Sequence, residues 1–215
     1  MDTENPTQLE LRFHPTEVRM AQADEGKESR TLEGVLVPYN TPSDLRYFTE
    51  KFQPGCFTES LDDSTNKRGL FEHDHKQLLC STRNGTFRLI DTPEALRFEM
   101  DVCRASHGDN ALILVKDGEI RGASIGMIVH GGSELWEYDE ETDHATRTIV
   151  KAKIVEGSIT SIPQYEETEV SARFAAEHGE EAIQAKVAEL RAKHKGTPEL
   201  DKRWMVYRHQ IADAA

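Results

Sequence analysis

Apolar and polar residues alternate along most of the first 173 residues, which is the period-two pattern of β-strands. The clearest example is a strand over 86–90 and another over 96–102, separated by a turn at 91–94. This spacing predicts an antiparallel pair. A second hairpin is predicted across the turn at Gly26, between an irregular apolar stretch and a strand over 30–39.

Further along, the segment 120–130 predicts a central strand, and β-branched residues from 146 to 162 predict one long strand. Only two helices are predicted within this part of the chain, at 56–61 and at 109–117. Because strands follow one another with few helices between them, the fold class predicted is α+β and β-rich, as a mostly antiparallel barrel or sandwich.

The pattern changes after Arg173, where a charged, helix-prone segment runs from 175 to 194. Its apolar residues are Ile183, Val187 and Leu190, which form a face too narrow for a helix of the main core. A short strand over 168–172 and a second helix from Pro198 are also predicted. The domains predicted are an N-terminal segment with the first strand (1–29), a β-rich main domain (30–173) and a helical C-terminal tail (174–215).

Composition narrows the classes of function. The 215 residues carry a formal net charge of −13, which argues against binding nucleic acid through phosphate contacts. No apolar run approaches the roughly 20 residues of a membrane helix, and the N-terminus lacks the features of a signal peptide. The three cysteines, Cys56, Cys80 and Cys103, are far apart, which is typical of reduced thiols in a cytosolic protein.

Three residues suggest hydrolytic chemistry. Ser124 lies between Gly122 and Gly126 in the central strand, where glycines permit a close approach of backbone or substrate. His73 lies between apolar residues at a predicted strand end, and Glu156 ends a strand of Val, Ile, Thr and Ala. A serine hydrolase needs a hydroxyl, an imidazole that takes its proton and a group that orients the imidazole. Taken singly, each residue also fits a structural role.

Six segments, in this order, resemble the prohead (capsid maturation) proteases of tailed phages: Leu32–Val35, Phe52–Phe57, Glu72–His75, Asn84–Leu89, Gly122–Gly126 and Val155–Thr160. Those enzymes are similar to the herpesvirus assembly proteases, serine endopeptidases on a β-barrel surrounded by helices. The resemblance implies that His73 is the general base, Ser124 the nucleophile and Glu156 the orienting acid. It covers roughly residues 30 to 173, and so implies that the domain predicted over 30–173 is the protease domain.

The resemblance also implies a setting. The expected substrates and partners are the scaffold protein and the major capsid protein, with self-cleavage and a possible homodimer. The expected place of action is the procapsid in the host cytoplasm. No cofactor, metal, nucleic acid or membrane is expected. The sequence departs from the family at Cys56 and Cys80, where small residues are usual, and at Ile125 and Met127, where aromatics are frequent. These changes bear on the shape of the subsites.

Several alternatives stay open at this point. His75 could replace Glu156 as the third catalytic residue, since the viral relatives use a second histidine. An α/β-hydrolase would place Ser124 on a strand-to-helix turn and order its triad differently. A metal site could use His73, His75 and Cys80, although Asp74 would point to the opposite face of a strand. The chain could instead be a non-enzymatic module that binds capsid or scaffold proteins.

Overall fold

The computed structural model describes residues 9–14, 17–22, 29–45, 48–161 and 180–195. Within these residues the chain forms thirteen strands and three helices, with one 3₁₀ turn at Thr82–Asn84. The strands are β1 Leu9–His14, β2 Arg19–Met20, β3 Thr31–Pro38, β4 Ser43–Leu45, β5 Phe48–Phe52, β6 Arg68–Phe71, β7 Asp74–Ser81, β8 Phe87–Asp91, β9 Ala95–Asp101, β10 Gly122–Ile128, β11 Glu134–Asp139, β12 His144–Ile149 and β13 Lys153–Thr160. The helices are α1 Thr58–Asp62, α2 Ser106–Lys116 and α3 Glu180–Lys195.

The strands form three open sheets. The first has the order β1-β10-β13-β6-β7, the second β11-β12-β5-β4 and the third β2-β3-β9-β8. All pairings are antiparallel except β13 with β6 and β12 with β5. The predicted α+β, β-rich class is confirmed. The predicted closed barrel is wrong, because none of the three sheets closes on itself within the described residues. Alternation specifies which face of a strand is buried and carries no information about whether edge strands pair.

The predicted strand pairs β8–β9 and β2–β3 and the predicted end of helix α2 are confirmed. The pair β8 and β9 is the predicted hairpin, and β2 pairs antiparallel with β3 as predicted, whereas the predicted turn at Gly26 lies outside the described residues. Helix α2 ends before Gly118, whose φ of +76° is the left-handed conformation that favours glycine after a helix.

The predicted long strand over 146–162 is wrong, since it divides into β12 and β13 in different sheets. Between them the Ala152 N–H donates to the carbonyl of Cys56 at 2.8 Å, and the Val150 N–H donates to that of Ser133 at 3.0 Å. The β-branched run continues through this break, so periodicity did not reveal it.

The main hydrophobic core fixes the orientation of β10. Ala123, Ile125 and Met127 are fully buried in this core. Because successive side chains of a strand point to opposite faces, Gly122, Ser124 and Gly126 lie on the other face of the first sheet. The face of β10 that carries the candidate nucleophile is therefore turned away from the main core.

A second, smaller apolar cluster holds helix α3 against the second sheet. Val187 and Leu190 pack with Leu45, Phe48 and Ala145, and Trp136 and Tyr138 lie against them. The narrow apolar face noted in the sequence thus contacts this cluster and not the main core. The predicted strand over 168–172 and the predicted helix from Pro198 lie outside the described residues.

A buried cluster of charged side chains joins the first sheet to the second. Arg12 of β1 binds Glu50 of β5 through Nε, and its Nη2 lies 2.5 Å from Glu10 Oε2. Arg147 of β12 donates to Glu10 at 2.7 Å, to Glu50 at 2.9 Å and to Glu134 of β11 at 2.5 Å. We call these five residues the ion cluster. Its carboxylates are acceptors only, so the two guanidinium groups satisfy them directly.

The three cysteines are not paired with one another. Cys56, Cys80 and Cys103 are all free thiols, and burial raises the pKa of the Cys56 thiol to about 12. A thiol that stays protonated is a poor nucleophile, which leaves Cys56 a packing role.

None of the helices in the described part of the chain is long and apolar enough to cross a membrane.

Candidate catalytic site

The two glycines that flank Ser124 each make room for one neighbouring side chain. A Cβ at Gly122 would lie 2.2 Å from the ring of Phe13 on β1, and a Cβ at Gly126 would lie 2.5 Å from Glu156 Oε1 on β13. Neither position could therefore hold a larger residue without moving its neighbour. The Gly-Ala-Ser-Ile-Gly stretch is explained by these two close approaches.

Glu156 lies in the middle of β13, and not at the strand end predicted from the sequence. It pairs with Gly126 across the strands, and Ser158 pairs with Ser124 in the same register. Directly opposed residues of an antiparallel pair project to the same face, so Ser124, Glu156 and Ser158 share one face of the first sheet. All three are buried, with Ser124 only 2% exposed.

His73 lies in the two-residue loop that joins β6 to β7. The φ angles of Glu72 and His73 are +56° and +57°, and Phe71 pairs with Asp74 across the loop. Positive φ at both central residues is the requirement of a type I′ turn, which usually contains Asn and Gly. A non-glycine residue in this region carries a strain of about 1–3 kcal/mol, and such strain concentrates at functional sites.

Hydrogen bonds from β13 hold this strained loop in place. The Glu72 N–H donates to the carbonyl of Ile159 at 3.1 Å, and the carboxylate of Glu72 accepts the Ser161 N–H at 2.6 Å. The loop is thereby tied to the strand that carries Glu156. The position of His73 relative to Glu156 is set by backbone contacts as well as by its own side chain.

The structure brings His73 and Glu156 together. Nδ1 of His73 lies 2.7 Å from Oε1 of Glu156. Because an ionised carboxylate only accepts hydrogen bonds, the proton belongs on Nδ1, and Nε2 of the neutral ring is then an acceptor. Nε2 is buried and has no hydrogen-bond partner among the described residues. This tautomer is the one that a general base requires, and it would leave Nε2 as an unused acceptor.

Ser124 lies on the same face but points toward the opposite neighbour. Its hydroxyl donates to the carbonyl of Arg12 on β1 at 3.1 Å. The structure gives no hydrogen bond between Ser124 and His73, since Nε2 has no partner in the described part of the chain. Catalytic hydrogen bonds are often long or misaligned in proteins without substrate. Rotation of one side-chain torsion would turn the Ser124 hydroxyl away from Arg12.

Comparison with known proteins identifies the family. The family model of the caudovirus prohead serine proteases matches residues 16–182, which is more than half of the chain. The chain belongs to this family. The solved structure of the bacteriophage T4 capsid assembly protease gp21 is similar at 12% sequence identity and a TM-score of 0.49, over 73% of this chain and 98% of that one. No curated protein matches the chain.

The structure also bears on two alternatives for this prohead protease, the α/β-hydrolase fold and His75 as the third catalytic residue. An α/β-hydrolase requires its serine on a strand-to-helix turn, but Ser124 lies inside β10, whose two neighbours β1 and β13 are both antiparallel to it. His75 is exposed on β7, whereas Glu156 is the carboxylate that contacts His73. The roles of His73, Ser124 and Glu156 stay predictions that this arrangement supports.

Sequence reasoning missed one polar residue of this site. Ser158 Oγ donates to Oε2 of Glu156 at 2.5 Å, and Ser158 is fully buried. The signal was present, because Glu156, Ser158 and Thr160 alternate with Gly157 and Ile159 and so form a polar face on an otherwise buried strand. Reading that period-two pattern would have placed Ser158 next to Glu156.

Proposed function

We propose that this prohead protease is a serine endopeptidase in which Ser124 is the nucleophile, His73 the general base and Glu156 the acid that orients His73. The observation that carries the proposal is the 2.7 Å contact between His73 Nδ1 and Glu156 Oε1, which leaves a buried Nε2 without a partner. A buried acceptor without a partner is rare in proteins, and a role in catalysis is one of its explanations. Membership of the prohead serine protease family supports the same chemistry.

The chemistry follows from these atoms. Ser124 Oγ attacks the carbonyl carbon of a peptide bond while its proton passes to Nε2 of His73. The same proton then goes to the leaving amine as the C–N bond breaks, and an acyl ester remains on Ser124. Water hydrolyses the ester by the reverse sequence. Glu156 accepts the Nδ1–H throughout and stabilises the imidazolium that forms.

The family supports a role in maturing the phage head. We propose that the substrates are scaffold segments or extensions of the major capsid protein, that the enzyme acts inside the procapsid in the host cytoplasm, and that it cleaves itself. The proposed site of self-cleavage lies in the tail after Arg173. The charged composition of this tail suits a segment that opens and enters an extended-substrate cleft.

The decisive experiment compares wild-type protein with Ser124→Ala, using a fluorophosphonate probe and intact-mass spectrometry on standing. The probe phosphorus bonds to the serine oxygen as fluoride leaves, so the adduct reports the nucleophile without knowledge of the substrate. We expect the wild type to carry the adduct on Ser124 and to release tail fragments, and Ser124→Ala to do neither.

The matched control is Ser60→Ala, because Ser60 is also a buried serine and its Oγ accepts the Ile154 N–H at 2.9 Å. This variant should lose about 1 kcal/mol of stability and keep both activities. A folded Ser124→Ala protein that still cleaves would refute the assignment. A wild type with neither adduct nor cleavage, in the presence of assembled coat and scaffold proteins, would favour the non-enzymatic capsid- or scaffold-binding module.

A further inference from the structure

We propose that Ser158 is a positioning residue that holds the Glu156 carboxylate in the orientation needed to align His73. This inference rests on the function proposed above for Ser124, His73 and Glu156. It assigns a role to a side chain that would make no contact with the substrate and would act only through Glu156.

The two oxygens of Glu156 have different partners. Oε1 accepts from His73 Nδ1 at 2.7 Å, and Oε2 accepts from Ser158 Oγ at 2.5 Å. The second contact is short, as expected for a hydroxyl that donates to a charged carboxylate. With both oxygens engaged, the plane of the carboxylate is defined by one partner on each side, and rotation about the terminal torsion would break both contacts.

Ser158 is suited to this task by its burial and by its position on β13. It is 0% exposed, so water does not replace its hydrogen bond. Its position two residues after Glu156 on the same strand places both side chains on one face, and β13 is held on both sides by β10 and β6. The donor is thus fixed by two flanking strands.

The same contact distinguishes Ser158 from Ser124 as a nucleophile. The hydroxyl proton of Ser158 is donated to Glu156, whose carboxylate is the acceptor that orients His73. The hydroxyl of Ser124 donates to the backbone carbonyl of Arg12 and is released by rotation of its side chain alone. If Ser158 attacked a substrate, it would have to abandon the carboxylate that the general base depends on.

The test is Ser158→Ala, measured as kcat and KM on the tail peptide that wild type releases, and as the labelling rate of Ser124 by the fluorophosphonate. One charge-assisted hydrogen bond is lost, so kcat and the labelling rate should fall about 10- to 100-fold. KM should stay within about twofold, because the contact does not involve bound substrate.

The matched control is Thr160→Val. Thr160 lies on the same strand and face, is 1% exposed, and its Oγ1 has no hydrogen-bond partner among the described residues. Replacing this hydroxyl by a methyl group should leave kcat within about twofold of wild type. A loss equal to that of Ser158→Ala would mean that any change on this face disturbs the site, and would overturn the proposal.

A double-mutant cycle with Glu156→Gln tests whether Ser158 acts through Glu156. In the Glu156→Gln background, Ser158→Ala should lower kcat by less than about threefold, because residues of one unit are non-additive. Losses that multiply independently would overturn the proposal. A wild-type kcat in Ser158→Ala, or an adduct that forms on Ser158, would also overturn the proposal.

If Ser158→Ala does not fold, the variant to use is Ser158→Cys, which retains a weak hydrogen-bond donor. It should give a reduced kcat with unchanged KM, and full activity of this variant would also overturn the proposal.

These outcomes separate the inference from the function on which it rests. Ser124→Ala without activity, together with fully active Ser158→Ala, would refute the role of Ser158 alone. An active Ser124→Ala protein would refute the proposed function itself.

Discussion

Two groups of mostly buried polar side chains lie on opposite sides of the first sheet, and they differ in how completely they are paired. On the core-facing side of β1, Glu10 and Arg12 belong to the ion cluster, in which Arg12 and Arg147 bind three carboxylates. On the other face, His73, Glu156, Ser158 and Ser124 form the candidate catalytic site, in which His73 Nε2 has no partner within the described residues.

This difference in pairing fits a structural role for the ion cluster and a reactive role for the candidate catalytic site. Burying charged groups is costly unless partners satisfy them, and the ion cluster meets this condition with direct contacts between two sheets. At the candidate catalytic site, His73 Nε2 has no hydrogen-bond partner among the described residues, and this atom is the proposed proton acceptor. Burial alone does not distinguish the two groups, since Glu50 is 1% exposed and Glu156 is 2% exposed. The two groups differ in that the imidazole of His73, among the described residues, keeps a buried Nε2 without a hydrogen-bond partner.

The largest effect that this contrast predicts is on activity. His73→Asn should lower kcat by about 10⁴-fold or more, because the proposed general base is lost. Asparagine tolerates positive φ, so the strained turn should be retained and the free energy of unfolding should change little. His75→Asn, two residues away on exposed β7, is the control and should stay close to wild type. Kinetics and urea unfolding of both variants check this, and a loss of activity in His75→Asn would reopen its role as third catalytic residue.

The second prediction concerns the stability that is lost when a substitution removes one cation of the ion cluster. Arg147→Met should reduce the free energy of unfolding by about 3–5 kcal/mol, since Glu10 and Glu50 would lose a buried cation. The methionine fills part of the volume, so the loss reflects charge more than a cavity. Urea unfolding at neutral pH measures it. The folded fraction should label with the fluorophosphonate at the wild-type rate, and a stable but unreactive variant would show that the two groups are not independent.

The third prediction displaces Glu156 without changing a polar group. Gly126→Ala introduces a Cβ at a position 2.5 Å from Glu156 Oε1, so the carboxylate must move away from His73. We expect kcat to fall about 100- to 1000-fold, less than for loss of the base itself. The control is Gly131→Ala, where nothing lies within 4 Å of the added atom. Equal activities of the two alanine variants would contradict the role of Gly126.

The fourth prediction uses His14, which packs edge-on against Phe52 near the ion cluster. Burial is the largest influence and lowers its pKa to about 4, with Arg12 adding to the shift and Glu50 opposing it. Unfolded histidine titrates near 6.5, so the unfolded state binds the proton first and stability falls as the pH drops below that value.

From about pH 7 to about pH 5 the loss attributable to His14 should reach about 2 kcal/mol. Unfolding in urea across this range tests it, with His14→Gln as the variant that should flatten the dependence. Glu50 interferes little here: burial works against its ionisation, Arg12 and Arg147 outweigh that effect, and its lowered pKa places its titration at more acidic pH. An unchanged slope in His14→Gln would assign the dependence to another group.

The two groups also differ in how far sequence could reveal them. Ser124, His73 and Glu156 were predicted as catalytic residues because they occur in motifs with recognisable order. The ion cluster was not, because Glu10, Arg12, Glu50 and Arg147 alternate within strands as surface residues normally do. On β1 the expected faces are reversed: the charged residues are buried, while Leu9 is 38% exposed. Which sheet covers a strand is a tertiary property that no local period encodes.

Open sheets and the break between β12 and β13 were missed for the same reason. The turn at His73 was missed because Glu-His is an unusual pair for positive φ, so turn chemistry gave no signal. The helix α2 and the hairpin of β8 and β9 were predicted because their turn and stop residues lie next to the elements they end.

The smallest effect is expected where an ion pair lies near solvent. Arg191 of α3 donates to Asp143 at 3.0 Å, and the two side chains are 20% and 26% exposed. This contact resembles those of the ion cluster in chemistry but not in burial, so water and salt screen it. Arg191→Gln should therefore cost less than about 1 kcal/mol of stability, and the cost should shrink further at high salt. Helix α3 should stay in place, because Val187 and Leu190 pack on the second sheet without the ion pair. Peptide hydrolysis should be unchanged, since α3 contacts the second sheet, whereas the proposed catalytic residues lie on strands of the first sheet and in the loop between β6 and β7. Urea unfolding at low and high salt, together with kcat, checks all three points. A loss as large as that of Arg147→Met, or a fall in kcat, would mean that the docking of α3 is coupled to the ion cluster and through Arg12 to Ser124.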